Sequence, residues 1–225
     1  MGSGLLVNGD SSARAWRDKT LKGESGQRVR LGHISLDGQD FSLPMSVTQA
    51  EFRRAMGCFA TGVTVITVDY EGDVHGMTAN AFTSVSLDPL LVLVCVDHKA
   101  RTHAHLHSKK RFGVNVLAED QRNISQYYAR PGDTHQRAEQ EVGARFDRTA
   151  HGTPVLCGAL AYLECRLHTA QDAGDHTIFI AEVEDVVVRE GDPLLFYRGN
   201  YRAIGDPPES LDSSEAKNKK PVASD

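Results

Sequence analysis

A chain of 225 residues, 40% hydrophobic and 24% charged, has the makeup of an ordinary globular protein with one good core. Its formal net charge of −5 excludes the basic footprint of a nucleic-acid or membrane-surface binder. The longest apolar run, residues 90–96, is far too short to span a bilayer, and Leu5-Leu6-Val7 is too short for a signal segment. The expectation is a cytoplasmic protein without nucleic-acid or membrane partners. Cys58, Cys95, Cys157 and Cys165 are scattered with no CxxC pair, and read as buried reduced thiols rather than zinc ligands.

Residues 1–44 are polar and show no sustained period, which predicts a partly disordered N-terminal extension with one ordered stretch near 28–36. The core, residues 45–205, begins with a helix start. Thr48 and Glu51 have capping-box spacing, and Val47 and Phe52 the spacing of a hydrophobic staple. Phe52, Met56 and Phe59 then form an apolar stripe, the mark of a packing helix with no chemistry. VTVITV at 63–68 is β-branched throughout and predicts a strand; a turn at 70–73 returns it as a hairpin. Residues 76–86 are dense in hydroxyl and amide side chains, and Asp88-Pro89 breaks them from an apolar run that reads as a strand buried on both faces.

A His-rich basic helix follows near 98–107, then a strand at 112–117, a helix at 119–129 stopped by Pro131-Gly132, and a weaker helix within 133–148. Long strands at 155–167 and 177–188, joined by a turn at 171–176, and a short strand at 194–197 complete the core. The tail, residues 206–225, has the composition of a disordered segment. Many strands with short turns and helices grouped mid-chain predict a mostly β barrel with added helices, not a doubly wound sheet.

Three groups of residues could carry chemistry. Lys99, Arg101 and Thr102 open a helix after a buried strand, and Ser84 and Ser86 stand nearby in sequence; cations, hydroxyls and a helix N-terminus suit a phosphorylated ligand. The competing reading is a solvated basic helix. His176, between a tight turn and a long strand, is rigidly placed and suited to donating hydrogen bonds near neutral pH, or is a turn histidine with no role. Arg198 and Tyr201 pair a cation with an aromatic after the last strand. His103 and His107 share a helix face, but no acidic third ligand lies near them in sequence, so no metal is expected. GxSxG, HExxH, P-loop and GxGxxG motifs are absent, which removes support for hydrolases, kinases and Rossmann dehydrogenases.

Six segments together resemble the flavin reductase family with the FMN-binding split-barrel fold, the reductase components of two-component flavin monooxygenases. They are FRRAMGCFATGVTVITV, GMTANAFTSVSLDPLLVLVCVD, FGVNVLAEDQ, GTPVLCGALAYLECRL, GDHTIFIAEVEDV and PLLFYRGNY. The resemblance implies a homodimer, FAD or FMN as flavin, NADH or NADPH as co-substrate, and a monooxygenase partner served by diffusing reduced flavin. It implies that Met77, Thr78, Ala79 and Asn80 line the flavin ring and ribityl chain, and that Ser84, Ser86, Lys99, Arg101 and Thr102 contact phosphate. His176 would stand beside the nicotinamide, with Arg198 and Tyr201 closing the site. Ala81 departs from the serine often found after TAN, and His98 from the short side chain common after the aspartate. The alternative reading is a flavin-binding split-barrel protein without reductase activity.

Overall fold

The computed structural model describes residues 17–22, 28–36, 39–42, 47–130 and 138–205, in two compact units divided after Met56. In the first unit, β1 (Arg17–Lys22), β2 (Arg28–Leu36) and β3 (Gln39–Ser42) form an antiparallel meander. Helix α1 (Gln49–Met56) starts at the expected capping box: the Thr48 N–H donates to Glu51 Oε2 at 2.9 Å and the Glu51 N–H to Thr48 Oγ1 at 3.2 Å. No residue of α1 is buried, and Phe52 and Met56 are exposed. Its start forms through local bonds. The Pro131-Gly132 helix stop and the tail from Asp206 lie outside the described residues.

The second unit is built on one antiparallel sheet. In chain order its strands are β4 (Thr61–Gly62), β5 (Thr64–Tyr70), β6 (Asp73–Ala79), β7 (Phe82–Leu87), β8 (Leu90–Asp97) and β9 (Arg111–Val116), with helix α2 (Arg101–Lys109) before β9. A 3₁₀ turn, α3 (Arg122–Tyr128) and α4 (Ala138–Val142) follow, then β10 (Phe146–Arg148), β11 (Pro154–Leu156), β12 (Ala161–Ala173), β13 (His176–Val188), β14 (Leu195–Tyr197) and β15 (Asn200–Arg202). Seven of these strands pair in the order 6-5-9-12-13-8-7; β10 with β11, and β15-β14-β4, form small accessory sheets.

The two edge strands, β6 and β7, are consecutive in the chain and joined only by Asn80 and Ala81. Laid flat, the edges of a seven-stranded sheet stand about 29 Å apart, six spacings of roughly 4.8 Å. Three Cα steps of about 3.8 Å reach at most ~11 Å. The sheet therefore curls until its edges meet at that corner. Among the described residues no ladder joins β6 to β7, so the architecture is a curled, mostly β sheet with a few helices rather than a closed barrel.

The strand buried on both faces is β5, not β8. Ile66 and Val68 enter a cluster with Val94, Leu106, Phe112 and Phe179, while Val65 faces the opposite way toward Leu117, Ile124 and Leu156. In β8, Val92, Val94 and Val96 are buried but Leu91, Leu93 and Cys95 are half-exposed, because an antiparallel sheet needs cover on one face only. The long strand expected at 155–167 is divided into β11 and β12 at Gly158, whose φ of 79° is left-handed.

Polar groups tie the interior strands together. The buried Asn115 amide donates to the Val65 carbonyl at 2.9 Å and accepts the Leu156 N–H at 2.8 Å. Glu164 on β12, 2% exposed, accepts from Thr153 at 2.6 Å and Thr149 at 2.9 Å and contacts His151 at 3.3 Å. Burial opposes its charge, but the bonds from Thr153, His151 and Thr149 outweigh it and hold the carboxyl below its ordinary range. The folded-state value lies under the unfolded one of about 4.3, so this stabilisation is complete above that pH and is lost as the pH falls through the folded value. Glu164→Gln should therefore flatten the loss of thermal stability below about pH 4.3. An unchanged acid limb in melts of the variant would show that other carboxylates set it.

Candidate functional site

A cavity of about 470 Å³ opens between β6, the start of α2 and the end of α3. On the β6 side, Gly76 lets the strand lie directly on Tyr128: a Cβ there would stand 2.6 Å from two ring carbons. Met77 and Thr78 follow along the same wall, and the Thr78 hydroxyl donates to the Ser125 carbonyl at 2.7 Å. The opposite wall is the turn from β8 into α2. There Asp97 Oδ1 accepts the Lys99 N–H at 2.8 Å, and no side chain caps the helix start at Ala100. Lys99 and Arg101 line this wall, and Thr102, 1% exposed, is bonded through its hydroxyl to His75 Nε2 at 2.9 Å. Arg130 completes the rim after α3.

The lining mixes apolar and aromatic residues, Met77, Ala100 and Tyr128, with three cations, Lys99, Arg101 and Arg130, and one carboxylate, Asp97; Lys99 and Arg101 stand at the start of α2, where backbone N–H groups favour an anion. That combination suits a flat conjugated ring with a phosphorylated tail, and the volume falls within the usual ~300–1,000 Å³ of ligand pockets.

The fold brings Met77, Thr78, Lys99, Arg101 and Thr102 to this one cavity. Ala79 ends β6 with its methyl in the core and its carbonyl accepting the Thr64 hydroxyl at 2.7 Å, so it offers a ligand backbone rather than side chain. Asn80 sits at the corner between the sheet edges and donates to Thr61 Oγ1 at 3.3 Å. Ser84 and Ser86 lie on β7, outside the cavity lining; Ser86 Oγ accepts the Asp88 N–H at 3.2 Å. His176 opens β13 opposite Asp97, a residue of the cavity wall, and its Nδ1 meets Asp175 Oδ1 at 2.7 Å. That bond, with the charge of the ring when protonated, holds the Asp175 carboxyl below its ordinary range.

The closing motif reaches the site through a relay. The Tyr201 hydroxyl lies 2.9 Å from Ser125 Oγ, and the carbonyl of Ser125 holds Thr78. Arg198 takes a left-handed φ of 47° and sets its guanidinium 5.2 Å from the centre of the Tyr197 ring. His75, Tyr128 and Arg130 were not foreseen as lining residues. Gly76 beside His75 was the available signal for close packing, and Tyr128 and Arg130 reach the site only through the placement of α3.

Residues 56–205 match the family model described as "Flavin reductase like domain". An "NADH-dependent flavin reductase" of a Rhodococcus species is 40% identical over 165 residues, covering 72% of this chain and 90% of that protein. The "4-nitrophenol 4-monooxygenase/4-nitrocatechol 2-monooxygenase, reductase component" of Rhodococcus opacus is 39% identical over 153 residues, 68% of this chain and 80% of the relative. A structure of the Streptomyces globisporus NADH:FAD oxidoreductase SgcE6, in complex with NAD and FAD fragments, aligns with a TM-score of 0.64 at 36% identity, over 72% of this chain and 94% of that one. With the curled sheet and the six segments in order, these matches show that the chain belongs to the flavin reductase family.

Proposed function

We propose that this protein is an NADH-dependent reductase of FAD or FMN that supplies reduced flavin to a separate monooxygenase. The observation that carries this reading is one cavity that joins Met77 and Thr78 of β6 to Lys99 and Arg101 at the start of α2. The relatives named above, a flavin reductase and a monooxygenase reductase component, support the direction of electron flow.

The two cofactors supply the hydride chemistry themselves, from nicotinamide C4 to flavin N5. The chain's task is positioning. Met77 gives the ring an apolar surface to lie against, Tyr128 supports that wall from beneath Gly76, and Thr78, fixed by Ser125, orients polar groups along it. Lys99, Arg101 and Arg130 hold the anionic tail in a site whose cations remain exposed. His176, steadied by Asp175, places the nicotinamide over the ring from the start of β13. No compulsory acid–base residue is required, because hydride transfer to the flavin leaves proton exchange to solvent.

Mixing the protein with FAD or FMN and NADH or NADPH in all four pairings tests the reading: rapid nicotinamide oxidation in at least one supports it. Tight flavin binding with no oxidation in any would favour a carrier without reductase activity. His176→Ala should raise the KM for NADH about tenfold, the scale of one lost hydrogen-bonding contact, and leave flavin affinity within about twofold. Collapse of flavin affinity instead would remove His176 from the nicotinamide side.

We extend the proposal to a split-barrel homodimer. Leu87 is 87% exposed and Leu90 52%, in the turn region of β7 and β8, and Val186 and Val188 are exposed at the same end of the sheet. Apolar surface of this kind marks a covered face. Sedimentation should give twice the 24.6 kDa chain mass; a monomer at micromolar concentration would oppose it.

A further inference from the structure

The hairpin of β12 and β13 places an acidic group beside two histidines that are distant in sequence. His98 follows β8, His103 lies in α2, and Asp172 sits near the end of β12 opposite Thr177. The Thr177 hydroxyl stands between all three: 3.1 Å from His98 Nε2, 2.8 Å from His103 Nε2 and 2.8 Å from Asp172 Oδ1. His98 Nε2 and Asp172 Oδ1 are 3.7 Å apart, and the two ring nitrogens and the carboxylate oxygen all lie within 4.8 Å of one another.

We propose that His98, His103 and Asp172 form a binding site for a divalent transition-metal ion of the zinc class, with Thr177 Oγ1 at its fourth corner. A tetrahedral ion with bonds of about 2.0–2.1 Å has ligand atoms roughly 3.4 Å apart. The separations from Thr177 Oγ1, 2.8–3.1 Å, and the 3.7 Å between His98 and Asp172 bracket that value, and the remaining two lie within 4.8 Å, so side-chain rotation can bring the four donors around one ion. Two imidazoles and a carboxylate are the ligand chemistry such ions select, and calcium or magnesium, which demand oxygen, do not fit.

The surroundings prepare the set. The His98 N–H donates to the Asp175 carbonyl at 3.1 Å, which pins the backbone of one ligand to the hairpin turn. The His103 ring is held edge-on by Phe179 at 5.5 Å and by His107 at 4.8 Å between centroids. Without metal, the rings donate their Nε2 protons to Thr177 and its hydroxyl donates to Asp172, so every partner is satisfied. With metal, the rings bind as their Nδ1–H tautomers and the Nε2 lone pairs turn to the ion. His105, on the other side of α2, packs on Tyr70 and His75 and takes no part. The site is separate from the flavin cavity, whose lining includes none of the four residues.

The full-length chain, stripped with chelator, is titrated with zinc ion against a chromogenic chelator. One zinc per chain is expected, with affinity lowered at least tenfold in His103→Ala and in Asp172→Asn and unchanged in His168→Ala, an exposed histidine elsewhere on β12. Zinc at a hundredfold excess over its Kd should raise the melting temperature by about 5 °C or more in the parent and not in Asp172→Asn. Asp172 is 81% exposed in its side chain, so this variant keeps the fold and the outcome does not hinge on His103→Ala. Cobalt ion in place of zinc should give the visible bands of a tetrahedral site. Absence of a one-to-one zinc site in the parent, or equal binding by Asp172→Asn, overturns the proposal whatever the flavin activity.

Discussion

Gly113→Ala should cost about 3 kcal/mol of stability and lower the melting temperature by roughly 10 °C, the scale of overpacking in a close-packed core. Gly113 lies mid-β9, paired with Thr67 of β5 on one side and Glu164 of β12 on the other. An added Cβ would stand 2.5 Å from Thr67 Oγ1, 2.8 Å from the Pro154 carbonyl oxygen and 2.8 Å from Tyr162 Cε2. None of the three yields easily. The carbonyl is backbone, and the Thr67 hydroxyl is fixed by donating to it at 2.6 Å and by the Asn115 amide at 3.1 Å. Tyr162 is 3% exposed within the same packing. Relief requires β11 to withdraw from the sheet, taking the Leu156–Asn115 bond with it. Urea denaturation and thermal melts measure the loss. Parent-like stability would mean that β11 can withdraw from β9 at little cost.

Lys99→Ala combined with Arg101→Ala should weaken FMN or FAD binding about a hundredfold and riboflavin binding less than threefold. Each charge-assisted contact to a phosphate oxygen is worth roughly tenfold or more in affinity, and two are removed together. Riboflavin presents the same ring and ribityl chain to Met77 and Thr78 but no phosphate to the start of α2. The ratio of the two losses isolates the anion from the ring. It also separates this pair from Ser84 and Ser86, which the fold leaves on β7 outside the cavity. Ser84→Ala with Ser86→Ala provides the comparison: a larger phosphate-dependent loss there than in the Lys99 and Arg101 double variant would move the phosphate to the β7 edge. Equal losses for riboflavin and FMN in the cation variant would remove phosphate recognition from α2 altogether.

Local chemistry was readable in the sequence wherever a few neighbouring residues decide the outcome. Thr48 and Glu51 form their capping box, and β5 forms where β-branching is densest. The short segments that mark the family fall in order across the region that matches its model, residues 56–205. What was not readable depends on residues far apart in the chain. The apolar run of β8 looks the same whether one face or both are covered, and only its place between β13 and β7 decides. Gly158 divides a run that reads as one strand because it needs a left-handed backbone there, which sequence alone does not announce. Tyr128 and Arg130 join the site through the placement of α3. Asp172 reaches His103 only once the hairpin is built, so nothing near α2 in the sequence announces an acidic neighbour for its histidines.

The position of β13 in the sheet has a consequence for biosynthesis. β8 pairs on one side with β7, its immediate neighbour in the chain, and on the other with β13, whose first residue arrives roughly 80 residues later. At a synthesis rate of about 5–20 residues per second, one edge of β8 lacks its partner for several seconds while its apolar side chains are already outside the ribosome. An unpaired apolar edge is a template for wrong pairing. The nascent chain therefore depends on whatever shields that edge until β13 inserts between β12 and β8. Chains released before His176 should be captured by holding chaperones or aggregate, whereas chains released after Val188 have every strand of the main sheet.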